Sequence, residues 1–139
     1  VELAVTLYVT IGPPGSGKTT WAKDFQRSTP GRPLIVERDM IREELTGSTQ
    51  NFTREVEVTR IAQDRVRTAL GFGMTVIVSD TNLRAKYRKA WKKLAESAGT
   101  QYDEVSFLDV PIEVCIERDA AREHPVGEEV IRRMDKGKS

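Results

Sequence analysis

Gly12-Pro13-Pro14-Gly15-Ser16-Gly17-Lys18-Thr19 satisfies the pattern G-x-x-x-x-G-K-[ST] and lies between an apolar β-branched run and a helix-compatible segment. Glycines let the backbone fold tightly enough for successive N–H groups to face phosphate oxygens, and the helix beginning near Lys18 adds the positive end of its dipole. Lys18 is expected to bridge the β- and γ-phosphates of a nucleoside triphosphate, and the Thr19 hydroxyl to ligate the magnesium that they share. Thr20 counts with the nucleotide contacts. Mg-ATP is the implied phosphoryl donor. The loop alone does not choose a reaction, because switches, ATPases and kinases all use it.

In an open parallel sheet, ligands collect beyond the carboxyl ends of the strands, so the residues that follow each strand carry the next information. The second strand is followed by Glu37-Arg38-Asp39 and then Arg42. Asp39 and Arg42 are three apart and share a helical face. Asp39 can accept the proton of an attacking hydroxyl and Arg42 can grip a phosphate on the acceptor; alternatively Asp39 caps the helix and Arg42 is a solvated charge. Asp80-Thr81-Asn82, after the third strand, suits a magnesium second shell, an acceptor contact or a plain Asx turn. Arg118 and Arg122, four apart near the end of one helix, can both point above the phosphate loop and act as lid arginines on the transferring phosphoryl group, or serve only as helix C-terminal charges. The loop Glu123-His124-Pro125 would let that lid close, and His124, without metal partners, is expected to do no chemistry.

The elements that position these residues follow from hydrophobic patterning. Leu3 to Ile11 reads as a central strand covered on both faces, followed by a helix from Lys18 to Arg27. Leu34 to Val36 is a short strand, and Asp39 can cap a helix to about Leu45. From Thr53 the apolar positions Val56, Ile61, Val66, Ala69 and Leu70 predict the longest helix, ended by Gly71 and Gly73. Met74 to Val78 is a third strand, Arg84 to Ala98 a basic amphipathic helix, Tyr102 to Leu108 a fourth strand. Helices from Pro111 to about Ala121 and from Glu128 to Met134 complete the chain. The expected class is α/β, a mostly parallel sheet of about four strands flanked by helices. Trp21 and Trp91 read as packing residues.

With 139 residues, 38% hydrophobic and 31% charged, the chain fits one globular domain. Its net charge of +1 provides no global field for a polyanion, so any such site is local. The basic run Arg84, Lys86, Arg88, Lys89, Lys92, Lys93 can track a nucleic-acid backbone or form a solvated helix face. Cys115, the only cysteine, excludes an internal disulfide and fits a structural role in a reducing, cytoplasmic setting. No apolar run is long enough to span a membrane.

These pieces together resemble the kinase domain of the phage polynucleotide kinase family, a P-loop kinase fold. The resemblance rests on TIGPPGSGKTTWA at Thr10 to Ala22, ERDMIR at Glu37 to Arg42, SDTNL at Ser79 to Leu83, DVPIE at Asp109 to Glu113 and VIRRM at Val130 to Met134. It implies ATP-dependent phosphorylation of the 5′-hydroxyl end of DNA or RNA. Asp39 would be the general base, Arg42 the ligand of the acceptor's 3′-phosphate, and Arg122 a donor-phosphate contact from the lid. Thr81 would join the acceptor-phosphate contacts, and Val126 would lie where the family stacks an apolar side chain on the acceptor base. The segment from Arg122 to Val126 is about one residue shorter than the family's. The family's phosphatase motif is absent, so residues 1–139 are expected to be a single kinase domain, either a lone kinase or the excised half of a kinase–phosphatase chain. A small-molecule kinase and a non-catalytic nucleotide-binding module are the rival readings.

Overall fold

The computed structural model describes residues 4–137. Its elements are β1 (Thr6–Ile11), α1 (Lys18–Ser28), β2 (Leu34–Val36), α2 (Arg38–Thr46), α3 (Glu55–Gly71), β3 (Val76–Val78), α4 (Ala85–Ser97), β4 (Gln101–Ser106), α5 (Ile112–Ala120) and α6 (Glu128–Gly137). The strands form one sheet in the order β2-β3-β1-β4, and every pairing is parallel. The expected α/β architecture is therefore the one that forms.

Its boundaries differ where local hydrogen bonds compete. Leu3, the expected start of β1, lies outside the described residues, and the strand begins at Thr6. Met74 does not open β3, because its N–H turns back to the Ala69 carbonyl at 3.0 Å and closes the end of α3. Along α3 the buried stripe runs through Val58, Ala62, Val66, Ala69 and Leu70, while Val56 is 84% exposed. Val56 stands two residues from Val58, about 200° around the helix, so both cannot face the core.

Leu7 and Val9 of β1, Val76 and Val78 of β3 and Val36 of β2 form a floor on which α3 packs, together with Trp91, Leu94 and Ala95 of α4. Burying such side chains contributes roughly 1.5–3 kcal/mol each for the larger ones. On the opposite face Tyr8 meets Phe25 at 5.0 Å and Trp21 at 6.3 Å, and Trp21 stacks on Phe25 at 5.1 Å between ring centroids. Both tryptophans are thus packing residues. No helix among the described residues is long and apolar enough to cross a membrane.

After β1 the chain leaves for the edge strand β2, returns through β3 to β1's side, and then crosses to β4 on β1's other flank. The strand order reverses between β1 and β3, so the crevice beyond their carboxyl ends is where this topology places a ligand.

Candidate active site

Beyond β1, Gly12 donates its N–H to the Thr81 carbonyl at 3.0 Å, and Thr10 Oγ1 donates to the Asp80 carbonyl at 2.8 Å. The loop after β1 is thereby fastened to the residues that follow β3. Gly17 precedes α1 with φ 103°, and Gly15 has φ 81°. A Cβ on Gly15 would lie 2.2 Å from the Cys115 carbonyl oxygen, so the loop approaches α5 more closely than any side chain permits. Cys115 is buried there as a free thiol.

Lys18 is the loop's buried cation. Its Nζ donates to the Pro13 carbonyl at 2.7 Å and lies 3.5 Å from Ser16 Oγ. Burial lowers its pKa from 10.5 to about 8, against the opposing pull of the Asp80 carboxylate. A phosphate oxygen would offer the ammonium a stronger partner than a carbonyl does.

Lys18 opens on a cavity of about 900 Å³. Pro14, Gly15, Gly17, Thr19 and Thr20 line it from the loop side, Asp39, Arg42, Asp80 and Thr81 from the strand ends, and Arg118, Arg122 and Val126 from the α5–α6 side. Gly12, Pro13 and Ser16 stand behind this wall, where they hold the loop and Lys18 rather than face the cavity.

Asn82 is the expected substrate contact that the structure turns away from the cavity. It is buried at φ 43°, and its Nδ2 donates to the Thr10 carbonyl at 3.0 Å and approaches the Asp80 carbonyl at 3.4 Å. Its amide nitrogen pins the turn after β3 to the β1 backbone by donating to main-chain carbonyls, which is not the Asx-turn pattern of a side-chain oxygen accepting a main-chain N–H. Asp39 does not cap α2 either: the helix starts at Arg38 after Glu37, with no side-chain cap. Asp39 instead lies in the first turn, 58% exposed toward the cavity, and accepts a hydrogen bond from Arg42 Nη1 at 2.5 Å.

Arg42 is nearly buried, and its partners limit what it can grip. Nε and Nη2 donate to the two oxygens of Glu55 at 2.8 and 2.6 Å, while Nη1 donates to Asp39 and to the Thr49 carbonyl at 3.0 Å. Among the described residues one of the five guanidinium N–H bonds is left, so a two-pronged grip on a phosphate is already taken by Glu55. These hydrogen bonds raise the Arg42 pKa further and, first among the causes, lower that of Glu55. Arg38 adds a second guanidinium, donating to Thr59 Oγ1 at 2.8 Å and Glu55 Oε1 at 3.3 Å, and it too lines the cavity.

Arg118 and Arg122 both reach the cavity, but not along one helix. α5 ends at Ala120; Arg118 Nη1 lies 3.4 Å from the Gly15 carbonyl, while Arg122 belongs to the following loop. That loop is organised by Asp119, 1% exposed, whose Oδ1 accepts the Val126 N–H at 3.0 Å and whose Oδ2 accepts the Gly127 N–H at 2.9 Å. Arg122 Nη1 lies 3.4 Å from the same carboxylate. The Lys side chains of α4 contribute nothing to the cavity wall among the described residues.

Asp80 lines the cavity, although its carboxylate is buried. Its Oδ1 accepts the Arg38 N–H at 2.9 Å, whereas Oδ2, with Ser79 Oγ, is buried without a hydrogen-bond partner among the described residues. Burial raises its pKa from 3.8 to about 7. An acidic oxygen left unpaired in a cavity that Thr19 also lines, and whose carboxylate acts on Lys18 through its charge, suits the surroundings of a hydrated cation, so the residues present fit a magnesium ion. A raised folded-state pKa means that Asp80 favours folding fully at low pH, and that this contribution is lost as pH rises from about 4 through about 7. Asp80→Asn, which never ionises, is expected to exceed wild type in stability at pH 8, by something of order 1–4 kcal/mol, and to approach it near pH 4. Urea unfolding at the two pH values measures this; an equal difference at both would show that Asp80 is not titrating.

A family model described as AAA domain matches residues 7–137. The chain is 29% identical over 146 aligned residues to a protein of Autographa californica nuclear polyhedrosis virus described as a bifunctional polynucleotide kinase/RNA ligase; the match covers 94% of this chain and 20% of that protein. Among solved structures it resembles a chain of the Pnkp1/Rnl/Hen1 RNA repair complex, with a TM-score of 0.83 and 21% identity over 98% of this chain and 44% of that one. It also resembles the Mycobacterium tuberculosis APS kinase CysC in complex with AMPPNP and APS, with a TM-score of 0.70 and 22% identity over 86% of this chain and 71% of that one. The chain thus spans about a fifth of the viral relative and under half of the repair-complex chain. At these identities the structural matches establish the fold, a P-loop kinase α/β sheet.

Proposed function

The chain belongs to this AAA-domain family of nucleotide-binding P-loop proteins, and from that premise we propose that residues 1–139 are one kinase domain that transfers the γ-phosphate of ATP to the 5′-hydroxyl end of DNA or RNA. The observation that carries the reading is a carboxylate, Asp39, hydrogen-bonded to Arg42 and facing Lys18 and Thr19 across one cavity. A switch would need the loop without that pair. The viral relative's description agrees with a nucleic-acid acceptor, and an ATP donor fits a cytoplasmic setting, the host cell's if the chain is phage-encoded.

In the reaction, the 5′-oxygen attacks the γ-phosphorus, the bond to the β–γ bridging oxygen breaks to release ADP, and the hydroxyl proton passes to Asp39. Lys18 and the loop N–H groups hold the donor phosphates, and Arg118 and Arg122 bring positive charge from the other wall. Thr19 directly, and Asp80 through water, would hold magnesium, which neutralises phosphate charge when bound. Thr81 and the remaining N–H of Arg42 face the acceptor phosphate, with Val126 across from them.

A small-molecule alcohol acceptor is the second reading, favoured by the occupied fork of Arg42. Transfer from γ-labelled ATP to a 5′-hydroxyl oligonucleotide, set against a panel of small alcohols, tests the choice. The oligonucleotide is expected to be the better acceptor; a small alcohol used more efficiently would refute the proposal. Adenosine and its 3′-phosphate refine the result. Wild type should favour the 3′-phosphate about tenfold or more, the scale of a charge-assisted contact. Arg42→Ala should erase most of that preference, whereas a preference that survives the substitution assigns the phosphate contact to another residue.

A further inference from the structure

Phe52, between α2 and α3, is 61% exposed, although a phenylalanine side chain normally belongs in a core. Its ring covers Arg42, with the guanidinium carbon 4.5 Å from the ring centroid, and it forms part of the cavity wall. Arg42 has little need of this cover, since Glu55, Asp39 and Thr49 already use four of its five N–H bonds. An aromatic ring resting on a satisfied cation and otherwise open to a cavity offers a flat surface to another flat group.

We propose that Phe52 is a stacking platform for the base of the acceptor's terminal nucleotide, and so a specificity-determining residue; this rests on the polynucleotide reading above. Two contacts link it to the attack site: Asp39 to Arg42 at 2.5 Å, and Arg42 to the ring at 4.5 Å. A nucleotide with its 5′-hydroxyl at Asp39 therefore has its base within reach of the ring. The facing wall is drawn close by Gln50, whose Nε2 lies 3.4 Å from the Pro125 carbonyl and which precedes Phe52 by two residues. Pro125 and Val126 there offer apolar surface to the base's other side. Every base has a π face, so the ring distinguishes a base from no base rather than one base from another.

The test compares two oligonucleotides with the same 5′-hydroxyl, one ending in an ordinary nucleotide and one in an abasic tetrahydrofuran residue. Wild type is expected to show kcat/KM at least ~10-fold higher for the base-bearing end, mostly through KM, as base stacking on an aromatic ring allows. Phe52→Leu is expected to bring the ratio close to one, and Phe52→Trp to keep it. Equal use of the two ends by wild type overturns the proposal. So does a loss in Phe52→Leu that is equal for both acceptors, since the ring would then act through Arg42. Transfer to neither oligonucleotide, with a small alcohol phosphorylated instead, removes the polynucleotide reading and this proposal with it.

Discussion

Lys18→Ala is expected to lower phosphoryl transfer by at least about 100- to 1000-fold without lowering the unfolding temperature. The catalytic loss follows from removing a buried cation aimed at the transferring charge, where a single preorganised donor has that scale of effect. Stability should hold because the hydrogen bonds of the ammonium among the described residues go to the Pro13 carbonyl and Ser16 Oγ, and burial disfavours its charge by more than the pull of Asp80 restores. A folded Lys18→Ala protein with normal turnover would exclude this loop as the donor site. The pKa of about 8 adds a pH signature. ATP selects the charged amine, so above pH 8 binding must take up a proton, and wild-type ATP affinity should weaken by up to about tenfold from pH 8 to pH 9. Nucleotide titrations at both pH values should show this fall in wild type and its absence in Lys18→Ala.

Asp39→Asn should lower turnover by about 100- to 10,000-fold with little change in ATP binding. An amide keeps the shape of the side chain, and its oxygen can still accept from Arg42, as the carboxylate does at 2.5 Å. What it cannot do is take the proton of the attacking hydroxyl. Single-turnover transfer and ATP titration, measured on one preparation, separate the two effects. A near-normal rate would leave Asp39 as no more than an anchor for Arg42.

The phosphate loop and the Asp39–Arg42 pair were legible because each is local. The loop needs only a strand, glycines and a helix in order, and a three-residue spacing on a helix implies contact. Glu55 was not legible: in the sequence it is an ordinary acid in the first turn of α3, and only the fold brings it to Arg42 from thirteen positions away. Its carboxylate then converts Arg42 from an open fork into a nearly saturated one. Asn82 was misplaced for a related reason, since a polar run after a strand reads alike whether its side chains face a ligand or fold back on the backbone. Arg122 reaches the cavity as expected but from beyond the end of α5, because α5 stops at Ala120. Phe52 gave no signal either, as a lone aromatic in a polar connection resembles a packing residue until its exposure is known.

The grip of Asp119 on the Val126 and Gly127 N–H groups bears on the timing of catalysis. Ordering a free backbone costs roughly 1–2 kcal/mol per residue, a cost that a slack loop would meet afresh in every catalytic cycle. Here the stretch from Arg122 to Val126 is fastened at its far end to a carboxylate at the end of α5, so most of that ordering is completed when the protein folds. Any closing movement of this wall is therefore expected to carry the end of α5 and the start of α6 together, with few backbone torsions left to search.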